Sequence, residues 1–182
     1  MRMEKKVFSG KKIIIRKISR KDLKNARNFL DFINSFIAED AKILINKKLS
    51  LKEEKEWLGE CLKKLKRKKE VKLMAEHNGI IVGLTGIDSG RWRESHVGNF
   101  GITIHKGYRG IGLGKYLMEE IIKLAKKELK PRLKIIRLSV YSNNKLAIAL
   151  YKKYGFKGVA KIPKQIQYKE KLVDEIIMLL YL

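Results

Sequence analysis

The stretch from Tyr108 to Glu119 constrains the fold most, because glycines at positions 110, 112 and 114 separate two differently patterned runs. Residues 100–104 are β-rich, and the apolar residues after the glycines recur at helical spacing. This pattern predicts a strand that passes through a glycine loop directly into a helix. The first turn of a helix has N–H groups without intrahelical acceptors, and glycines let an anion approach them closely. The sequence therefore predicts a phosphate-binding loop.

Basic residues surround the predicted start of this helix. Lys106, Arg109 and Lys115 lie there, and no acid occurs between Lys106 and Glu119. Acidic residues normally stabilise a helix start, because they complement the positive end of the helix dipole. The observed charges are therefore unfavourable alone and favourable beside a bound anion. The alternative is that a lysine-rich chain has lysine at every surface position; we favour the anion-binding interpretation.

Two common phosphate-binding patterns do not fit this loop. A Walker loop needs Ser or Thr after its lysine, where this chain has Tyr116, and glycine where it has Arg109. The dinucleotide pattern requires a glycine at position 115. The pattern that fits is Arg109-x-x-Gly112-x-Gly114. It resembles the pyrophosphate-binding motif of the Gcn5-related N-acetyltransferase (GNAT) superfamily.

A second motif lies further along the chain, in Asn144-x-x-Ala147-x-x-x-Tyr151-x-x-x-Gly155-Phe156. It resembles the late-helix signature of the same superfamily, and every position of that signature is present. The two motifs occur in the expected order, with a helix and a strand predicted between them. The chain also looks like the branch that includes ribosomal-protein N-terminal and small-amine acetyltransferases.

Periodicity along the chain predicts an α+β protein with the order β-α-α-β-β-β-α-β-α-β-β. Strands are expected at 12–18, 71–77, 80–87, 94–104, 134–140, 156–160 and 172–181. The first two helices are expected from Asp22 to Ile37 and from a capping box at Ser50 and Glu53. The order is that of the GNAT superfamily, which implies a mixed, mostly antiparallel sheet flanked by helices. We expect a single N-acetyltransferase domain over residues 1–182.

The resemblance implies that an acetyl group moves from acetyl-CoA to an amine by direct attack in a ternary complex. The strand at 100–104 would pair with the coenzyme and polarise its thioester carbonyl. The glycine loop would hold the pyrophosphate. The residues expected to bind the coenzyme are Gly101, Ile102, Thr103, Ile104, Arg109, Gly110, Ile111, Gly112, Leu113, Gly114, Lys115, Asn144, Ala147 and Tyr151.

The resemblance also assigns a catalytic acid. Tyr151 would give its proton to the leaving thiolate, and Asn144 would contact the coenzyme near its sulfur. The alternative for Tyr151 is a core aromatic residue beside Leu150. We favour the catalytic role because the residue occupies its place in the motif.

The catalytic base is less clearly marked. Relatives often carry glutamate in the strand before the second motif, where this chain has Leu138-Ser139-Val140, or where Asn99 stands. His96 is the preferred candidate, ahead of Glu94 and His105. Removing the proton from a lysine-type amine at pH 7 costs about 4.6 kcal/mol, and removing it from an α-amine costs about 1.4 kcal/mol. A site without a strong base therefore suits an α-amine or a weakly basic small amine.

The charge of the chain is unusual, because 43 Lys and Arg residues against 19 Asp and Glu residues give a net charge of +24. Such a field attracts anions, including the coenzyme, acidic substrates, nucleic acid and the ribosome. The basic run at 63–69 suits a helix C-terminus, and lysine enrichment is also reported in proteins from hot environments. The attraction of anions nevertheless leaves an alternative function open. The chain could be a nucleic-acid-binding, ribosome-binding or acetyl-CoA-sensing protein with little catalysis.

Other features set limits. Cys61 is the single cysteine, which excludes an internal disulfide, and no run of 18 apolar residues predicts a membrane span. We expect a cytoplasmic protein without a metal, and we consider the last strand a candidate for pairing across a homodimer. The acceptor stays open, because residues 36–51 and the expected loops at 88–93 and 161–170 carry no specificity pattern.

Overall fold

The computed structural model of the chain describes residues 3–182, so the first two residues of the predicted domain lie outside the described residues. Its strands are β1 Glu4–Phe8, β2 Lys11–Lys17, β3 Glu70–His77, β4 Ile80–Ser89, β5 Val97–Ile104, β6 Ile135–Tyr141, β7 Lys157–Tyr168 and β8 Lys171–Tyr181. Its α-helices are α1 Ala26–Ala38, α2 Leu51–Lys66, α3 Leu113–Glu128 and α4 Lys145–Lys153. The strands form one sheet in the order β1-β2-β3-β4-β5-β6-β8-β7. The predicted α+β fold class is confirmed.

The sheet is split near its middle. β5 and β6 form the parallel pair, and their pairing covers only three rungs, from Val97 opposite Ile135 to Asn99 opposite Arg137. Beyond these rungs β5 stays paired with β4, whereas β6 stays paired with β8. The two strands therefore separate, and residues 100–104 present an open edge towards the gap.

Helices cover both faces of the sheet. Leu73 and Met74 are adjacent in β3 and are both buried, but they belong to two different apolar clusters. Successive strand residues point to opposite faces, so the two clusters lie on the two sides of the sheet. One cluster includes Leu117 of α3, and the other includes Phe29 of α1 and Leu58 of α2.

The start of the first predicted helix shifts, whereas the start of the second is as expected. The helix expected from Asp22 starts as a 3-10 turn over Arg20–Asn25, and α1 follows it. The capping box of Ser50 and Glu53 at the start of α2 is confirmed, because each side chain bonds the backbone N–H of the other residue. Within residues 3–182, no helix combines the length and apolarity needed to cross a bilayer.

Three expectations about the edges of the sheet are wrong. The structure has an additional first strand, β1, and β7 runs through most of the expected loop at 161–170. Most residues of β7 are exposed, so the strand lacks the alternation of buried side chains that marks a strand in a sequence. β8 pairs with β6 on one side and β7 on the other, so it offers no free edge to a second copy.

Candidate active site

The glycine loop adopts a conformation that favours glycine. Gly110 and Gly112 have φ angles of +77° and +88°, in the left-handed region. A Cβ atom at Gly110 would meet no atom within 4 Å, so the backbone conformation rather than packing calls for glycine there. Gly112 is the N-cap of α3, and the first turn of this helix contains no acid.

The loop presents a run of free backbone donors. No N–H group from Gly110 to Lys115 has a backbone acceptor within the described part of the chain, and the first such bond of α3 runs from the Tyr116 N–H to the Gly112 carbonyl at 3.1 Å. The Arg109 N–H already donates to the Lys106 carbonyl at 3.3 Å. The run of N–H groups without a backbone acceptor therefore starts at Gly110, and the part of Arg109 in coenzyme binding stays a prediction.

The Arg109 side chain points away from these donors. Its Nε donates to the Ile104 carbonyl at 2.8 Å, and its guanidinium group forms an ion pair with Glu39 at the end of α1. The guanidinium carbon also lies 5.7 Å from the centroid of the Phe36 ring. Arg109 thus ties the end of β5 to α1.

The gap between β5 and β6 begins at a side-chain contact. Arg137 donates from Nε and Nη2 to Oδ1 of Asn99, at 3.1 and 2.9 Å, on the last paired rung. Past this rung, the Gly101 carbonyl accepts a bond of 2.9 Å from the Thr85 hydroxyl of β4, and Gly101 itself is exposed. A cavity of about 310 Å³ opens where the strands part, lined by Asn99, Phe100, Arg137, Leu138, Ser139 and Ile177.

Tyr151 lies beside this gap on α4. Its ring packs edge-on against Phe100 at 6.0 Å and at a tilt against Phe156 at 5.9 Å, and 9% of the residue is exposed. Burial raises the pKa of its hydroxyl to about 12, so the group is protonated at neutral pH. Asn144 is the N-cap of α4, and its side-chain oxygen accepts from the Ala147 N–H at 3.4 Å. The side-chain oxygen of Asn144 is therefore engaged in capping α4.

The candidate bases are scattered. His96 precedes β5 at its closed end, where its carbonyl accepts from the Lys134 N–H at 2.8 Å, and Glu94 lies in a turn before it. His105 follows the open end of β5, and its Nδ1 is buried without a partner among residues 3–182. The assignments of His96 as the base and Tyr151 as the acid therefore stay predictions. Within the same residues, no three His, Cys, Asp or Glu side chains are grouped as metal ligands would be.

A second cavity, of about 520 Å³, lies between residues 36–46 and the β7–β8 hairpin. Three carboxylates line it, those of Asp40, Glu170 and Glu175, against the single ammonium group of Lys169, which pairs with Asp40 at 3.3 Å. We call this site the acidic cavity. It contrasts with the charge of the whole chain, and the sequence interpretation missed it.

Two tyrosines hold the walls of the acidic cavity together. The Tyr141 hydroxyl donates to the Ile43 carbonyl at 2.7 Å, and the Tyr168 hydroxyl donates to the Asp40 carbonyl at 2.9 Å. Glu175 is also absent from the predicted site, although an acid within the largely apolar run of β8 was a signal in the sequence. The two cavities meet along β6, because Ser139 lines the first and Tyr141 lines the second.

Residues 37–156 match the acetyltransferase (GNAT) family. A curated protein of Escherichia coli (strain K12), the L-amino acid N-acetyltransferase AaaT, is 40% identical over 85 residues, which cover 46% of this chain and 51% of that protein. The match thus spans about half the length of this curated relative.

Solved structures share the fold over nearly the whole chain. A GNAT-family acetyltransferase from Streptococcus pneumoniae superimposes with a TM-score of 0.81 at 27% identity, covering 93% of this chain and 99% of that one. The yncA protein of Salmonella typhimurium, solved with its cofactor acetyl-CoA, gives a TM-score of 0.76 at 19% identity and covers 93% of each chain. Because the family match takes in more than half of the chain, including the glycine loop and the second motif, the chain belongs to the acetyltransferase (GNAT) family.

Proposed function

We propose that the chain transfers an acetyl group from acetyl-CoA to an amine, which attacks the thioester directly while both molecules are bound. The observation that carries this proposal is the open edge of β5, which ends at Ile104 shortly before the free N–H groups of residues 110–115. An unpaired strand edge suits an arm that contains amide groups. A cluster of free N–H donors at a helix start suits a diphosphate. The two together match the successive parts of a coenzyme A molecule.

Acetyl-CoA supplies the activated acetyl group in this proposal. The edge from Gly101 to Ile104 would hold the arm of the coenzyme, and backbone donors there would polarise the acetyl carbonyl. The N–H groups from Gly110 to Lys115 would hold the diphosphate. The fit is supported by the exposure of Gly101 and by the absence of an acid in the first turn of α3.

Tyr151 is the group we assign to protonate the leaving sulfur. Its position beside Phe100, the first residue past the paired rungs, supports this role. A raised pKa keeps its proton in place before the reaction, so the hydroxyl can donate to the sulfur as negative charge develops there.

The acidic cavity is the site we propose for the acceptor. Its carboxylates favour an amine that carries a positive charge and no carboxylate beside it, such as the N-terminal α-amine of a peptide or a small amine. A free amino acid would bring its own carboxylate towards Asp40, Glu170 and Glu175. The Escherichia coli relative is an L-amino acid N-acetyltransferase, so the acceptor is the point on which this chain would differ from it.

The test is a panel of acceptors with acetyl-CoA, followed by release of free thiol and by mass spectrometry of the product. The panel contains peptides with free α-amines, small amines, free amino acids, amino acid amides and lysine-containing proteins with blocked N-termini. We expect the fastest release with α-amines that lack a carboxylate. Thiol release no faster than hydrolysis with every acceptor would contradict the proposed activity.

A second candidate function is binding of single-stranded nucleic acid, and it is supported by Trp92. This residue is 87% exposed between Arg91 and Arg93. The basic run ends near the end of β4, shortly before Trp92 in the chain, since the Ser89 N–H donates to the Lys69 carbonyl at 2.8 Å. Aromatic and cationic side chains together can stack on bases and contact phosphates. Titration of a Trp57→Phe variant with polyuridine should quench Trp92 fluorescence at low salt; unchanged fluorescence would contradict this function.

A further inference from the structure

Glu175 is a carboxylate between the two cavities, and neither motif of the sequence points to it. It lines the acidic cavity, and its Oε1 accepts a hydrogen bond from the hydroxyl of Ser139, which lines the gap between β5 and β6. We propose that Glu175 is the catalytic base and that Ser139 is the residue that positions it. This inference rests on the proposed acetyl transfer and names a residue for it.

The register of the sheet explains how a residue of β8 reaches the gap. Ser139 lies opposite Ile177 and Tyr141 opposite Glu175, so all four residues belong to one face of the sheet. Glu175 and Ser139 are therefore diagonal neighbours, a separation that a long side chain can span. The Glu175 side chain crosses from the wall of the acidic cavity to the wall of the gap.

The other groups near the gap are less suited to accept a proton. The side-chain oxygen of Asn99 is occupied by two bonds from Arg137, and an amide is a very weak base. His96 lies at the closed end of β5. Glu170 lines the acidic cavity but belongs to the turn between β7 and β8, away from the gap. Among residues 3–182, Glu175 is the carboxylate whose side chain is hydrogen-bonded to a residue that lines the gap.

The hydrogen bond between Ser139 and Glu175 matters because of the strand that carries Ser139. β6 has Leu138-Ser139-Val140 beside the gap, and none of these residues is acidic. The Ser139 hydroxyl binds a glutamate that comes from the adjacent strand. A carboxylate is therefore present at this part of β6 although β6 itself supplies none.

The acceptor amine is protonated in solution and first loses one proton to solvent. Glu175 takes a second proton from the nitrogen as the bond between nitrogen and the acetyl carbon forms and the carbon–sulfur bond breaks. Tyr151 gives its proton to the leaving sulfur, and proton transfer through solvent from Glu175 to Tyr151 restores both groups. The nitrogen becomes strongly acidic once its lone pair is bonded to carbon, so a carboxylate is a sufficient base at this stage.

The experiment compares Glu175→Gln with Asp174→Asn, which removes the same charge from the neighbouring residue of β8, a residue that lines neither cavity. Thiol release is measured with the best α-amine acceptor, and acetyl-CoA affinity by calorimetry. We expect Glu175→Gln to lower kcat by about 100-fold, in the usual range for loss of a general base, with acetyl-CoA affinity within about twofold of wild type. Asp174→Asn should keep kcat within about threefold. A fall of less than tenfold in Glu175→Gln, or an equal fall in both variants, would overturn the proposal.

Glu175→Asp gives an independent measurement if the glutamine variant folds poorly. It keeps the negative charge but withdraws the carboxylate by one methylene group, so we expect kcat to fall at least tenfold with KM for the amine nearly unchanged. Wild-type kcat in this variant would show that only the charge matters and would overturn the assignment. A wild-type protein that acetylates no amine would overturn the proposed function itself, whereas an active wild type with unimpaired Glu175 variants would overturn the base alone.

Discussion

The two ends of the gap are built in different ways. The end at residues 110–115 offers backbone N–H groups, and its chemistry depends on glycine conformation and a helix start. The acidic cavity offers side-chain carboxylates from segments far apart in the chain. The overall charge of +24 matches the first end and is opposite to the second. Net charge therefore describes the attraction of anions in general, whereas local carboxylates set the preference of one cavity.

The largest effect is expected where the backbone itself does the binding. Gly112→Glu combines an unfavourable φ of +88° with a negative charge at the N-cap of α3. We expect the Kd for acetyl-CoA, measured by calorimetry, to rise at least about 100-fold. Gly112→Ala is the control, because it brings the same backbone strain without the charge, and its effect should be smaller. A wild-type Kd for acetyl-CoA in Gly112→Glu would contradict the assignment of coenzyme binding to the backbone of this loop.

A smaller effect is expected at Tyr151, which lies between the two ends. Tyr151→Phe keeps the ring that packs on Phe100 and Phe156 and removes only the hydroxyl. We expect turnover to fall at least about tenfold, while acetyl-CoA affinity stays within about twofold. The measurement is thiol release at saturating amine, with calorimetry as the control for binding. Unchanged turnover would mean that Tyr151 is a core aromatic residue, as the alternative interpretation states.

The difference between the two ends also explains what the sequence could predict. The glycine loop is local: strand, turn and helix start all lie within about twenty consecutive residues, and the positions of the glycines indicate the backbone conformation. The same holds for the second motif, where Asn144 caps the helix that carries Tyr151. The fold class, and the element order apart from β1, followed from the spacing of apolar residues.

The acidic cavity could not be predicted in this way, because it depends on contacts between distant segments. Tyr141 bonds to Ile43 across 98 positions, and Tyr168 bonds to Asp40 across 128 positions. The exposed edge strand β7 gave no periodic signal either, so the segment that forms one wall was expected to be a loop. The position of Glu175 follows from the register between β6 and β8, which a single sequence does not reveal.

The acceptor preference tests the acidic cavity more finely. An amino acid amide and the corresponding free amino acid differ in the charge beside the amine, so they form a matched pair. We expect kcat/KM for the amide to be higher by about fivefold, which corresponds to about 1 kcal/mol of screened repulsion. Glu170→Gln should reduce this ratio, because it removes one of the three carboxylates. Equal kcat/KM values for the two acceptors would contradict a cavity that selects by charge.

The smallest effect on activity is expected at Glu54, a carboxylate that lies outside both ends of the gap. Glu54 lies on the buried face of α2, one turn before Leu58, and is 4% exposed. Burial raises the pKa of its carboxyl to about 7, and the nearby ammonium group of Lys72 opposes this only in part. The folded chain therefore binds this proton more tightly than the unfolded chain, whose carboxyl has a pKa near 4.5.

The sign of the pH dependence follows from that difference. Between pH 4.5 and 7 the folded state holds the proton that the unfolded state has lost, so stability falls as the pH rises through this window. Glu54→Gln removes the titration. We expect it to raise the free energy of unfolding by roughly 2 to 3 kcal/mol at pH 8, and by little at pH 4.5, in urea denaturation followed by circular dichroism. Turnover should stay at the wild-type value, since only acids that face the acidic cavity act on the amine. A stability gain that is equal at both pH values would mean that packing of the side chain, rather than its charge, is the cause.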